Sequence, residues 1–337
     1  MNKRILSSVL VTVILGTANM LYAQDPLLSQ YFSSPMYLNP ALIGKSVGDW
    51  RLSSTYRTQW QGEGSEPYTT AMVSVEKNLY AKSNRNDFLG AGLMVSSDAS
   101  NAGLLKRNMV SLGFSYNNAL DAAGKQYFGG GLSINYYHRM LDVSKFVFQS
   151  QFGSGGYQPS IPANDNVAVP NSSYVDVTAG IQYSVKGEHS GFYMGASYFH
   201  ANRPKDGAYN NNEYTIDPRL NLQMGYQQLM GENGGELQLS TIYDHQGELN
   251  KFTAGLLYKL PVEGSQLKVK TMNLGVWDRF GDAVYPYIGV EATGWLLGLS
   301  YDVPTSNVSN SLRNVQSFEI SFTCLFGAKK SGAVTAY

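Results

Sequence analysis

Four histidines, His138, His189, His200 and His245, and one cysteine, Cys324, are the side chains best suited to metal or nucleophilic chemistry. Their spacing supports neither. No histidine pair falls at a zinc-ligand separation, and no serine–histidine spacing stands out as a nucleophile pair. Cys324 alternates onto an apolar face as a small filler, and one cysteine forms no internal disulfide. The runs "GGG" at 129–131 and "GENGG" at 231–235 lack the strand–loop–helix setting of a phosphate loop; such glycines more often allow curvature or close packing. No catalytic set, metal or cofactor is expected. What remains are Arg51, Arg57, Arg139, Asp176, Arg219, Glu291, Asp302 and Glu319, each on the polar face of an alternating stretch. Acid–base pairs could form among them, but a structural charge network filling an interior is favoured over catalysis.

The elements that carry those charges are strands. In "RLSSTYRTQW", Trp50, Leu52, Ser54, Tyr56, Thr58 and Trp60 share one face, and Arg51, Ser53, Thr55, Arg57 and Gln59 the other. Successive strand side chains point to opposite faces, so one face is apolar with aromatics at its ends. Val110, Leu112, Phe114 and Tyr116 repeat the pattern, as do Leu220, Leu222, Met224 and Tyr226, and then Phe318, Ile320, Phe322 and Cys324. Fourteen such strands are expected, near 50–60, 68–77, 88–97, 107–117, 127–139, 174–184, 191–199, 219–228, 236–245, 251–260, 269–279, 283–291, 294–302 and 315–326. Each has about ten residues, enough to cross a bilayer at a tilt. The fold class is therefore all-β, a transmembrane antiparallel β-barrel of about 14 strands over 49–326, with lipid outside and a polar lumen.

Composition agrees. The chain has 337 residues, no net charge, 15% charged residues, 24 tyrosines and 35 glycines. Balanced charge removes the electrostatic case for nucleic acid. A soluble β-sandwich or solenoid would also have one apolar face, but without aromatics gathered at strand ends. With both termini in the periplasm, the three longest connections, 140–173, 200–218 and 303–314, all fall outside. Loop 140–173 carries Phe146, Phe148, Phe152 and Tyr157, and loop 200–218 carries Arg203, Tyr209 and Tyr214. These are the expected partner-binding residues, because aromatic and arginine anchors dominate interfaces.

Residues 1–23 read as a signal peptide: a basic start, an apolar core and Ala23 before Gln24. Residues 24–48 follow, "QDPLLSQYFSSPMYLNPALIGK" and three more, with no clean period and, up to Lys45, only Asp25 and Lys45 charged. Pro26, Pro35 and Pro40 oppose strand pairing, and the lack of charge suits a segment packed against protein. It is expected at the periplasmic mouth, partly in the lumen or along its rim, as a plug or a docking element. Residues 327–337 form a tail.

That segment resembles the start of the PorP/SprF family, outer-membrane proteins of the type IX secretion and gliding machinery of Bacteroidota. The resemblance rests on Gln24-Asp25-Pro26, Ser29-Gln30-Tyr31, Asn39-Pro40-Ala41 and Gly44, then Tyr56-Arg57-Thr58-Gln59-Trp60. "FHANRP" at 199–204, "DPRLNLQMGY" at 217–226, "LGVWDRFGDAVYPYIGVE" at 274–291 and "LGLSYDV" at 297–303 follow in the family's order. The tail "GAKKSGAVTAY" after Phe326 departs from it. The resemblance implies a non-enzymatic barrel that partners secreted cargo through the cargo's type B C-terminal domain, assisting its exit or holding it at the surface. It also implies contact with periplasmic ring lipoproteins. A channel for diffusing or hydrophobic solutes and a scaffold for the ring are the other readings.

Overall fold

The computed structural model describes residues 25–46, 48–62, 66–80, 86–100, 103–162, 171–206, 215–231, 234–262, 269–305 and 316–327. The leader, the tail beyond Gly327, Tyr209 and Tyr214 lie outside them. Among the described residues fourteen strands form the barrel: β1 (Trp50–Gln61), β2 (Tyr68–Tyr80), β3 (Phe88–Ser100), β4 (Leu105–Ala119), β5 (Gln126–Leu141), β6 (Asn171–Lys186), β7 (Ser190–Phe199), β8 (Arg219–Met230), β9 (Gly235–Gln246), β10 (Leu249–Pro261), β11 (Val269–Arg279), β12 (Ala283–Ala292), β13 (Trp295–Pro304) and β14 (Gln316–Phe326). Each pairs antiparallel with the next, and β14 returns to β1 to close the ring. Closure leaves no free edge, as a hydrocarbon surround requires.

The strands answer the alternation, and several run longer than ten residues. β5 and β6 have 16 each, extended at the long-loop end through polar residues such as Arg139 and Ser172. The alternation expected through Trp60 breaks earlier. The β1–β14 register shifts between Thr58 and Gln61, and Trp60 takes a left-handed backbone (φ 57°). Thr58, placed on the apolar face, is buried there.

Burial is inverted relative to a water-soluble protein. Phe114 and Ile134 are 56% and 58% exposed, while Arg57 and Glu319 are 1% and 0% exposed. An apolar exterior around a polar core has one stable setting, a bilayer. This decides against a sandwich or solenoid, whose apolar face would be buried.

Candidate functional site: a filled lumen

The interior is not empty. Residues 25–46 run through it from one end to the other. Asp25 lies at the long-loop end, where its N–H donates to Gln246 Oε1 (3.3 Å) at the end of β9. Gly44 lies near the opposite end, its N–H donating to Glu76 Oε2 (3.1 Å) of β2. The chain then turns at Gly48 into β1. The segment expected at one mouth thus spans the lumen, because its start reaches the far end before it descends.

Its path is irregular for a physical reason. Short helical turns at Tyr31–Ser33, Pro35–Leu38 and Pro40–Leu42 are too brief to satisfy their own backbone. The wall supplies the missing partners. Ser197 Oγ donates to Leu38 O (2.8 Å), Asn117 Nδ2 to Ala41 O (3.2 Å) and Ser115 Oγ to Ile43 O (2.6 Å). Arg51 donates to Leu42 O (3.2 Å) and Lys45 O (3.0 Å) while pairing with Glu76 at 2.5 Å. Asn39 accepts from Ala41 N–H (2.9 Å) and donates to Ile181 O (3.0 Å) and Ala196 O (3.3 Å).

Glycines on the inner wall let the segment approach. A Cβ on Gly131 would fall on the Pro40 carbonyl and within 2.5 Å of Ala41 N; one on Gly90 would fall on Ile43 O. Gly44 itself has φ +70° and sits against Gly90, where a Cβ would stand 2.7 Å from Gly90 Cα. The "GGG" run thus serves close packing rather than phosphate binding. Tyr31, Leu38 and Leu42 pack on Ile242, Leu257, Trp277, Tyr285 and Tyr287 on one side. Met36 and Ile43 pack on Met94, Met109, Tyr137, Tyr174 and Ile216 on the other. Beside Phe32 and Ser33 a cavity of about 50 Å³ remains, room for a few water molecules.

The charges grip this segment rather than fill the pore themselves. Glu319 accepts from the N–H groups of Ser29 (2.7 Å) and Gln30 (2.9 Å) and pairs with Arg57 (3.0 Å). Asp302 accepts from Ser29 Oγ (2.7 Å) and pairs with Arg57 (2.8 Å) and Arg279 (3.2 Å). Both arginines also donate to Ser29 Oγ. Gln30 is saturated, donating to Ser300 Oγ and Glu319 O and accepting from Ser321 Oγ. Tyr31 donates to Ser240 Oγ (2.7 Å).

A second group surrounds Asp25. Its carboxylate meets His200 Nε2 (2.9 Å), Arg107 (3.2 Å) and Arg219 (3.7 Å), and His200 Nδ1 meets Asp176 (2.9 Å). Arg219 also lies 3.9 Å over the Phe199 ring. Of the lumen charges named from sequence, Arg57, Asp302 and Glu319 meet directly, and Asp176 and Arg219 meet through His200 and Asp25. Glu291 accepts from Thr271 (3.4 Å). Arg139 pairs with Asp206 (3.3 Å). The alternation did not single out Asp25, Glu76, Arg107, Arg279 or His200. The lone carboxylate in an otherwise uncharged stretch was the available signal for Asp25.

His200 faces a carboxylate from each ring nitrogen, so only the imidazolium can donate to both. Burial alone would lower its pKa, but Asp25 and Asp176 outweigh burial and raise it to about 9, from an ordinary 6.5. A raised folded-state pKa stabilises fully below the unfolded value and loses that contribution as pH climbs through the folded one. The thermal midpoint of the purified barrel is therefore expected to fall as pH rises from about 6.5 to about 9, and H200Q is expected to lack that step. Equal slopes in both proteins would refute the imidazolium bridge.

The residues expected from sequence to bind a partner lie, where described, in the loops at the long-loop end. Phe152 and Tyr157 form a two-residue hairpin, exposed, with ring centroids 5.8 Å apart. Phe146 and Phe148 are half-buried neighbours, also 5.8 Å apart. Arg203 is exposed on loop 200–206.

A closed barrel with an apolar belt and a filled polar lumen is an outer-membrane β-barrel. The chain matches the family model "Type IX secretion system membrane protein PorP/SprF" over residues 20–324, and it belongs to that family. It resides in the outer membrane. No curated protein matches it. Among solved structures it is similar to a Pseudomonas aeruginosa FadL homologue (11% identity, 87% of this chain and 94% of that one, TM-score 0.47). It is also similar to the monoaromatic hydrocarbon channel CymD (11%, 87% and 93%, 0.46). A third likeness is CdiB from Acinetobacter baumannii (9%, TM-score 0.37), which it matches over 82% of its own length but 60% of that chain. At these values the likenesses carry no functional argument.

Proposed function

We propose that this barrel is a non-enzymatic partner of a protein secreted by the type IX system. In this reading it takes the cargo's type B C-terminal domain at its long-loop face, assisting exit or holding the cargo at the surface. The observation that carries this reading is the occupied lumen. Residues 25–46 cross the lumen from end to end and hydrogen-bond to its wall on several sides, which obstructs a solute path along that segment. A diffusion channel is disfavoured on the same ground. The loop face, by contrast, offers exposed Phe152 and Tyr157 on an ordered support. Gln151 Nε2 donates to Ile161 O (3.1 Å), and its Oε1 accepts from Phe148 N–H (3.1 Å). With the long loops outside the cell, the short turns face the periplasm, where ring lipoproteins would dock.

Deleting residues 145–168 tests the reading. The barrel is expected to reach the outer membrane, while cargo is lost from the cell surface and no longer co-purifies with it. Cargo retained at normal levels would overturn the loop-face assignment and favour the scaffold reading.

A further inference from the structure

One short stretch, 200–206 after β7, touches both the outside and the segment in the lumen. His200 is the closest partner of Asp25, the segment's far end. Three non-glycine residues have positive φ among the described residues, and two are here: His200 (φ 56°) and Arg203 (φ 45°). Side chains rarely adopt that region, and surrounding contacts must hold them there.

Those contacts are specific. Asn202 Nδ2 donates to Val175 O (2.8 Å) and its Oδ1 accepts from Val177 N–H (3.1 Å), pinning the stretch to β6. Ala201 N–H donates to Val177 O (2.9 Å). Asp206 accepts from Ser172 Oγ (2.6 Å) and pairs with Arg139. Ile216 N–H donates to Pro204 O (2.9 Å), and its side chain is buried in the cluster that holds Met36 and Ile43 of the segment. Inward-facing His200 and Ile216 thus hold the segment, while Ala201, Asn202, Arg203 and Lys205 face out.

We propose that residues 200–206, with Ile216, are a latch: pinned to β6, they keep the N-terminal segment seated, and unpinning them from outside loosens it. The coupling is a property of the isolated barrel and does not depend on which partner docks there. Asn202 makes the inference testable, because it is pinned to β6 and has no hydrogen bond to the segment. Static packing would leave the segment indifferent to it.

The probe is a cysteine at Ser34, a buried residue of the segment whose Oγ lies 3.0 Å from Thr55 Oγ1. In full-length C324S/S34C protein in detergent, the rate of labelling by a charged maleimide reports unseating. D25N and N202A are each expected to raise that rate about tenfold over the parent. Faster labelling in D25N alone would mean that the segment is gripped but the stretch is not its latch. Any pattern other than both variants accelerating overturns the proposal. Heat-modifiable migration on gels shows that each variant is a folded barrel. If N202A forms none, N202D replaces it, keeping the acceptor and losing the donor to Val175.

Discussion

G131V is expected to yield a barrel that its own N-terminal segment cannot close. Gly131 is on the inner face of β5, and a Cβ there falls on the backbone of Pro40 and Ala41, not on a side chain that could swing away. Asn39 and Asn117 fix that backbone from other directions through Ile181 O and Ala41 O. Overpacking a fitted site costs about 1–3 kcal/mol, or roughly a factor of five to 160 in the seated-to-unseated ratio. The ladder does not suffer, since valine suits a strand and Gly131 pairs through backbone with Ser115 and Gly180. The folded variant should therefore conduct ions in a planar bilayer where the parent does not, and protease should reach residues 25–46. Gly130, its neighbour, supplies the control: a Cβ there meets only Gly180 O, at 3.9 Å. G130V should stay closed. Equal conductance in G131V and G130V would refute the glycine track.

The barrel was legible because its signal is a repeat. Each strand states the same period, so an error at Trp60 does not move the others. Lumen residues were legible by face alone: Arg57, Asp302 and Glu319 could be put inside. Their partners could not, because contacts across a closed ring depend on tilt and on what else occupies the lumen. Residues 24–48 show the limit most clearly. Their lack of period correctly opposes strand pairing, but a chain satisfied by side chains from β1, β4, β7 and β14 has no local pattern to read. His200 was legible as a scattered histidine and as part of "FHANRP", but not as a bridge, since that role needs Asp25, which is 175 positions away.

The glycine track and the charge clusters divide the work of holding the segment. The wall from β3 to β6 is thinned by glycines and accepts the segment's second half by shape. The wall around β1, β11, β13 and β14 is charged and holds its first half by hydrogen bonds to backbone that no helix satisfies. Shape resists overfilling, and charge resists being left unpaired, so the two halves should fail in different ways.

R57A is the variant that should expose the second failure. Arg57 pairs with both Asp302 and Glu319 in a buried cluster, and Arg279 pairs with Asp302 and, toward the rim, with Asp282. Truncating Arg57 removes the cation paired with Glu319 and leaves Asp302 with Arg279, which also pairs with Asp282 (3.0 Å), and Ser29 loses a donor. Breaking a buried pair from one side costs about 3–5 kcal/mol, because the orphaned charge keeps its desolvation penalty. The denaturant midpoint of R57A should therefore drop further than that of any single exposed-loop variant. Removing the orphan should recover much of the loss. R57A/E319Q keeps an amide oxygen to accept from Ser29 or Gln30 N–H and carries no unpaired charge, so it should be more stable than R57A alone. The coupling between the two sites should be large and favourable. If R57A/E319Q instead loses the full sum of the two single changes, the cluster is not an electrostatic unit and the segment's first half is held by packing.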